Sequence, residues 1–216
     1  MTSSETLKGL RGRGYDERER NEPFQYENRA DRHTREFSRP GDYAMALVSY
    51  VSNQEAAEKI KPVFEGMEKK IGVVPNVFRA MAHNPEMLEA FLALNATLPK
   101  TKLDGKLREL AYIKTSELND CDYCLHHHRA LGKKAGLNDR QVAETAHFET
   151  SDAYDETQRE VLLFAEEVTR HINVDDALVD RIKQKLGDRE LVELAMTVGI
   201  ANFTNRVTET LRLELP

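Results

Sequence analysis

The chain has 216 residues, a net charge of −6 at neutral pH and only two cysteines. This acidic balance gives no reason to expect nucleic-acid binding. No apolar run approaches the roughly 20 residues of a membrane-spanning helix, and the N-terminus lacks the apolar core of a secretory signal, so a cytoplasmic location is expected. Two cysteines in a protein that is not exported are more often redox groups or metal ligands than a structural disulfide.

Residues 1–42 form a segment whose composition differs from that of the rest of the chain. Arginine and acidic residues are dense and of mixed sign, and large apolar residues are few. Such a segment cannot bury enough apolar surface to fold alone. Two interpretations stay open: a flexible arm, or a segment that lies on a neighbouring subunit or docks a partner through its sequence TLKGLRGRGY.

Residues 43–216 carry apolar side chains at three- and four-residue steps, and no stretch alternates as a strand does. This is the pattern of amphipathic helices, so we predict an all-α fold, a compact multi-helix domain. Start and stop signals predict a helix that begins at Ser52 or Asn53 and ends before Gly72, a short helix after Pro75, and a helix that begins at Asn84 and ends at Pro99.

Capping residues divide the second half of the domain in the same way. Helices are predicted after Asp104, after residue 120, after Asn138, after the segment 151–155 and after Asp175, and Gly187 separates the last of these from a final helix over residues 188–210.

The most informative segment lies between residues 109 and 136, which hold both cysteines and three consecutive histidines. In a helix each residue turns about 100° around the axis. Cys121, Cys124 and His128 would therefore share one helix face. The two other histidines, His126 and His127, would point elsewhere, and solvent or subunit contacts are the simpler interpretation of them.

The start of this helix is expected to favour a reactive thiol. Asn119 and Asp120 are good N-caps, which would place Cys121 in the first turn and Cys124 about one turn in. Free N–H groups and the positive end of the helix dipole stabilise a thiolate there, and an adjacent imidazole can take the thiol proton. Because two thiols one turn apart can also close a disulfide, we interpret the pair as a reversible dithiol.

Two other chemistries use cysteine and histidine at close spacing. A c-type haem site needs a histidine directly after the second cysteine, where this chain has Leu125. Zinc can bind both cysteines and a histidine, but a structural site needs a fourth ligand, and no second Cys/His pair lies nearby. No metal and no cofactor is therefore expected. Glu109 by itself can equally be a surface acid in a first helical turn.

The chain also contains a weak internal repeat. LRELAYIK at residues 107–114 resembles LVELAMTV at residues 191–198. The same offset aligns Asn205 with Cys121 and Thr208 with Cys124, so only the first copy keeps the thiols.

The spacing of Glu109, Cys121, Cys124 and His128 in a helical chain resembles that of the alkylhydroperoxidase D-like/carboxymuconolactone decarboxylase superfamily. Residues 43–216 resemble its peroxidase-related branch, which carries a residue such as Tyr123 where the best-known members have a histidine. The resemblance implies an all-helical fold, homo-oligomers (commonly trimers or hexamers) and a dithiol peroxidase centre. Tyr123 is then expected in the wall of the substrate pocket.

The mechanism that the resemblance implies begins with Glu109 and His128 as a proton relay. Cys124 attacks a small hydroperoxide and becomes a sulfenic acid, and Cys121 then condenses with it to a disulfide. A dithiol protein or a small thiol is expected to reduce this disulfide at Cys121, which lies nearer the helix end and should be the more accessible. Two alternatives stay open: a non-redox enzyme like carboxymuconolactone decarboxylase, and an interaction protein recruited through residues 1–42.

Overall fold

A computed structural model describes residues 45–216, and all the regular secondary structure in this range is helical. The predicted all-α class is confirmed, whereas the predicted N-terminal arm lies outside the described residues. Within the described range no helix is long and apolar enough to cross a membrane. The α-helices are α1 (Lys61–Ile71), α2 (Asn76–Met81), α3 (Pro85–Asn95), α4 (Gly105–Leu118), α5 (Asp122–Lys134), α6 (Asp139–Ala143), α7 (Glu156–His171) and α8 (Asp176–Leu211).

Polar side chains cap most of the helices at the positions that the sequence indicates. Asn84, Asp104, Asn138 and Asp175 each accept a hydrogen bond from a backbone N–H in the first turn of α3, α4, α6 and α8. Asp155 caps α7 in the same way. Because such a cap typically contributes about 1 kcal/mol, local sequence is enough to set these helix starts.

The predicted start of α1 at residues 52–53 is wrong. Residues 52–60 form turns, and Ser52 closes one of them: its Oγ accepts the Glu55 backbone N–H at 3.3 Å, while its own N–H donates to the Glu55 carboxylate at 3.0 Å. Pro62 explains the later start, since a proline has no N–H to donate and fits only the first turn of a helix.

Helix α4 is the centre of the fold and packs against α5, α7 and α8. Leu107 and Ala111 join an apolar cluster with side chains of α7 and α8. Leu110 and Ile113 join a second cluster with side chains of α5 and α7. Because full burial of a large aliphatic side chain contributes about 1.5–3 kcal/mol, these clusters hold α4 firmly beside its neighbours.

Helix α8 bends at Gly187, as the sequence predicts. This residue has φ 84° and ψ 171°, a conformation essentially restricted to glycine. The part of α8 after the bend lies beside α4, with Leu194 and Val198 fully buried in the cluster that contains Leu107 and Ala111. The two copies of the internal repeat are therefore neighbours in space.

Candidate functional site

The turn between α4 and α5 places both cysteines. Asp120 has a left-handed conformation with φ 52°, and the Cys121 N–H donates to the Ser116 carbonyl at 2.9 Å. Cys121 is itself the N-cap of α5, because its Sγ accepts the Cys124 backbone N–H at 3.3 Å. The predicted cap at Asn119 or Asp120 is therefore wrong: both residues serve to close the end of α4, so α5 begins later.

Both thiols are free and buried, with 0% of Cys121 and 2% of Cys124 exposed. The expectation that Cys121 is the more accessible is wrong, since its side chain turns inward at the start of α5. There its Sγ lies 3.1 Å from the hydroxyl oxygen of Thr208 in α8. The same oxygen lies 3.7 Å from the Cys124 Sγ, so one hydroxyl bridges the two sulfurs.

A second residue of α8, Asn205, completes this side of the site. It is fully buried, its Oδ1 accepts from Asn119 Nδ2 at 2.9 Å, and its Nδ2 donates to Ser116 Oγ at 3.1 Å. Its amide also lowers the pKa of the Cys124 thiol. Composition and periodicity did not assign Asn205 or Thr208 to the site, and the only signal for them was the internal repeat that aligns them with the cysteines.

His128 and Glu109 form a close pair between α5 and α4. The His128 Nδ1 lies 2.8 Å from one Glu109 carboxylate oxygen, and Arg108 Nε lies 3.2 Å from the other. The ring of Tyr112 stacks on the imidazole, with ring centroids 3.4 Å apart and planes within 9°. The structure thus brings together the histidine and the acid that the spacing singled out.

Tyr112 connects this pair to the dithiol, because it also belongs to the buried cluster that contains Cys121 and Cys124. Within residues 45–216, the hydrogen bonds of the two sulfurs run to each other and to α8 rather than to His128. The imidazole is thus near the dithiol without being directly bonded to it.

Tyr123 lies in the same buried cluster as the cysteines. Its hydroxyl accepts the backbone N–H of Val77 in α2 at 3.2 Å, and burial raises its pKa to about 12. His126 is exposed, and His127 is half-buried with its pKa lowered by burial. Tyr123 therefore forms part of the wall around the thiols, with its hydroxyl already bound to the backbone.

The pKa values of the two thiols are shifted in opposite directions. The pKa of Cys124 is lowered, first by a hydrogen bond from the Cys121 thiol and then by hydrogen bonds from Thr208 and Asn205, which together outweigh its burial. The pKa of Cys121 is raised, because this thiol shares its proton with the Cys124 sulfur and is buried. The arrangement therefore favours a thiolate at Cys124 and a protonated thiol at Cys121.

The geometry of the site also bears on whether it could bind zinc. Within residues 45–216, no three His, Cys, Asp or Glu side chains converge in a way that could hold a metal ion. His128, the histidine that zinc would use, is bonded to Glu109. The site as built presents two thiols and hydrogen-bond donors.

Comparison with known proteins shows that these residues lie in a segment that matches a protein family. Residues 85–167, which include both cysteines, Glu109 and His128, match the model of the carboxymuconolactone decarboxylase family. The uncharacterized protein YdfG of Bacillus subtilis (strain 168) is 21% identical over 126 residues, which are 57% of this chain and 86% of that protein.

Solved structures extend the similarity to most of the described chain. An uncharacterized peroxidase-related protein from Silicibacter sp. TM1040 is 25% identical with a TM-score of 0.71, over 83% of this chain and 95% of that one. A peroxidase-related protein with an alkylhydroperoxidase AhpD core from Ralstonia eutropha JMP134 shares the fold at 23% identity and a TM-score of 0.71, over 79% and 92%. The debrominase Bmp8, also solved with 2,3,4-tribromopyrrole, is 26% identical with a TM-score of 0.69, over 79% and 91%.

Proposed function

We propose that this chain, which belongs to the alkylhydroperoxidase D-like/carboxymuconolactone decarboxylase superfamily and to its peroxidase-related branch, is an enzyme that reduces hydroperoxides with the Cys121–Cys124 dithiol. The observation that carries the proposal is the pair of free thiols bridged by one hydroxyl, near a histidine–glutamate pair. Such a site combines a nucleophile, a resolving thiol and a proton relay.

We assign the attack to Cys124, whose sulfur shares the Thr208 hydroxyl with the Cys121 thiol and whose pKa is lowered. Its thiolate forms an S–O bond to one peroxide oxygen as the O–O bond breaks. The other oxygen takes a proton and leaves as an alcohol, so Cys124 becomes a sulfenic acid. Because both sulfurs are almost completely buried, the site favours a small hydroperoxide over a bulky one.

His128 supplies and removes the protons of this step. Glu109 accepts the N–H of Nδ1, so Nε2 is the ring nitrogen that takes up and returns a proton. Since the sulfurs bond to α8 and to each other, we assign the transfer between sulfur and imidazole to a water or to the substrate itself.

Cys121 acts in the second step. Its thiol attacks the sulfenic sulfur, a disulfide forms and water leaves, which consumes the proton of Cys121 and the hydroxyl of the sulfenic acid. The cysteines occupy the N-cap of α5 and the third residue of the helix, a separation that a disulfide can span with little backbone movement. A dithiol protein or small thiol then reduces the disulfide by exchange and is itself oxidised.

A second candidate function is reductive debromination, which the similarity to the debrominase Bmp8 favours. The same two thiols would supply two electrons: a C–Br bond becomes C–H, hydrogen bromide is released and the disulfide forms. The two candidates therefore differ in the electron acceptor and share the oxidised product. A decarboxylase of the same superfamily would need neither thiol.

Thiol titration and peptide mass measurement test the proposal. Mild peroxide should consume two thiols without changing the oligomeric mass, and the tryptic peptide of residues 115–129, which holds both cysteines, should lose two hydrogens. With dithiothreitol, hydrogen peroxide or a small alkyl hydroperoxide should be turned over, and Cys121→Ser and Cys124→Ser should each abolish turnover.

Three results would decide against the proposal. Inert thiols, or turnover that persists in both serine variants, would remove the dithiol from the mechanism. Release of bromide from 2,3,4-tribromopyrrole without peroxide turnover would replace the first candidate by the second.

A further inference from the structure

The two copies of the internal repeat are in contact at the dithiol. The offset that aligns residues 107–114 with residues 191–198 pairs Cys121 with Asn205 and Cys124 with Thr208. In the folded chain these four residues are in contact, although they come from opposite ends of the domain. The copy of the repeat that lacks thiols thus supplies polar side chains directly to the sulfurs of the other copy.

The hydroxyl of Thr208 has more acceptors than it can serve at once. Its oxygen lies 3.0 Å from the carbonyl oxygens of Thr204 and Asn205, 3.1 Å from the Cys121 Sγ and 3.7 Å from the Cys124 Sγ. A hydroxyl has one hydrogen to donate and can also accept. While the thiols are protonated, it can donate to a carbonyl and accept from Cys121. When a thiolate forms, rotation of the O–H bond turns the same hydrogen to sulfur.

Asn205 is held in one orientation by its other contacts. Asn119 donates to its Oδ1 at 2.9 Å, which makes the opposite side of the amide the N–H side. One of those hydrogens goes to Ser116 Oγ at 3.1 Å. The second is available to Cys124, whose pKa the amide lowers. The amide therefore presents a donor to the sulfur without any rearrangement.

The tyrosine and carboxyl groups beside the sulfurs offer no positive charge. Tyr112 from α4 and Tyr123 from α5 are neutral, and burial raises the pKa of both hydroxyls. Glu209 from α8 is acidic, lies close to Asp120 and Asp122, and disfavours a negative Cys124. His128 is paired with an acid of its own. The side chain of α8 that hydrogen-bonds both sulfurs, Thr208, is thus a neutral donor.

We propose that Asn205 and Thr208 form a neutral hydrogen-bonding cradle for the Cys124 thiolate, so that the repeat copy without thiols activates the copy that has them. This inference rests on the proposed dithiol function, whose attacking group it explains. Loss of one hydrogen bond to a charged group typically changes the population of the charged form by roughly tenfold to hundredfold.

The test compares three variants of full-length, reduced protein. Thr208→Val keeps the shape of the side chain and removes the hydroxyl, Thr208→Ser restores the hydroxyl, and Thr197→Val is the matched control. Thr197 is also fully buried in α8 and bonds to the carbonyl of the residue one turn earlier, Glu193, at 2.8 Å. The readouts are the pH dependence of thiolate ultraviolet absorbance and the rate at which iodoacetamide alkylates Cys124.

Thr208→Val should raise the apparent pKa of the Cys124 thiol and slow its alkylation at neutral pH by about tenfold or more. Thr208→Ser should recover most of the rate, and Thr197→Val should leave both readouts unchanged. A normal pH profile in folded Thr208→Val, or an equal loss in Thr197→Val, would overturn the inference. If Thr208→Val does not fold, Thr208→Ala carries the same expectation.

These readouts do not involve peroxide, so the two proposals can fail separately. A shifted thiol pKa in a protein that turns over no peroxide would retain the cradle and remove the peroxidase function. Normal peroxide turnover with an unshifted thiol pKa in Thr208→Val would retain the peroxidase function and remove the cradle.

Discussion

At the scale of single residues, His128 is constrained in two independent ways. Glu109 holds Nδ1, and the stacked ring of Tyr112 holds the plane of the imidazole. Arg108 in turn binds the second carboxylate oxygen of Glu109. The other ring nitrogen, Nε2, is then held in one orientation, which suits a proton relay. His126, two residues earlier, is exposed and has no such contacts with these side chains.

His128→Gln should therefore slow peroxide-driven oxidation of the dithiol by at least about tenfold, since positioned general bases typically contribute 10²–10⁴. The matched substitution His126→Gln should change the rate little. Stopped-flow measurement of thiol loss over a range of pH would separate them, because the pH dependence due to the imidazole should vanish only in His128→Gln. Equal rates in the two folded variants would show that His128 has no part in proton transfer.

At the scale of secondary-structure elements, α8 reaches the dithiol because it bends. The backbone of Gly187 lies in a region that side chains other than glycine's rarely enter, and no atom lies within 4 Å of where a Cβ would stand. The cost of a substitution there is thus one of backbone conformation alone. After the bend, the helix continues unbroken past the residues that touch the sulfurs.

Gly187→Ala should destabilise the protein by about 1–3 kcal/mol, the usual cost of a non-glycine residue in this region. The control is Gly199→Ala, at a helical position of α8 where a Cβ also has open space; it should stabilise by up to about 1 kcal/mol. Urea unfolding of both variants measures the difference. If Gly187→Ala were as stable as the natural protein, the bend would not depend on this glycine.

At the scale of the whole molecule, the described chain contains the complete candidate site. Every residue assigned to it lies between Arg108 and Glu209, on α4, on α5, in the turn between them or on the second part of α8. The homo-oligomer that the family resemblance implies stays a prediction. So does a docking role for residues 1–42, which lie outside the described residues.

Deletion of residues 1–42 should leave helical content and peroxide-driven thiol loss unchanged, because residues 45–216 already supply hydrogen-bond partners to both thiols and to His128. If the segment docks on a neighbouring subunit, the sedimentation mass should fall at the same time. Circular dichroism, thiol titration and sedimentation of one truncated protein test this. Unfolding, or loss of thiol reactivity at unchanged mass, would show that the segment belongs to the folded domain.

The sequence by itself determined the features that depend on neighbours a few residues away. Capping by Asn84 and Asp104 and the stop at Gly187 follow from short-range backbone preferences. The helical period likewise placed Cys124 and His128 on one side of α5, since four residues make about one turn.

Only the tertiary structure decided how the thiols are surrounded. Thr208 reaches the Cys121 sulfur across 87 residues of sequence, and no local period encodes a contact of that range. The same holds for the burial of Cys121 and for its role as N-cap, which follow from how α4 ends against α8. Helix propensity places a thiol on a face, but the packing of distant helices determines which donors meet it and whether water reaches it.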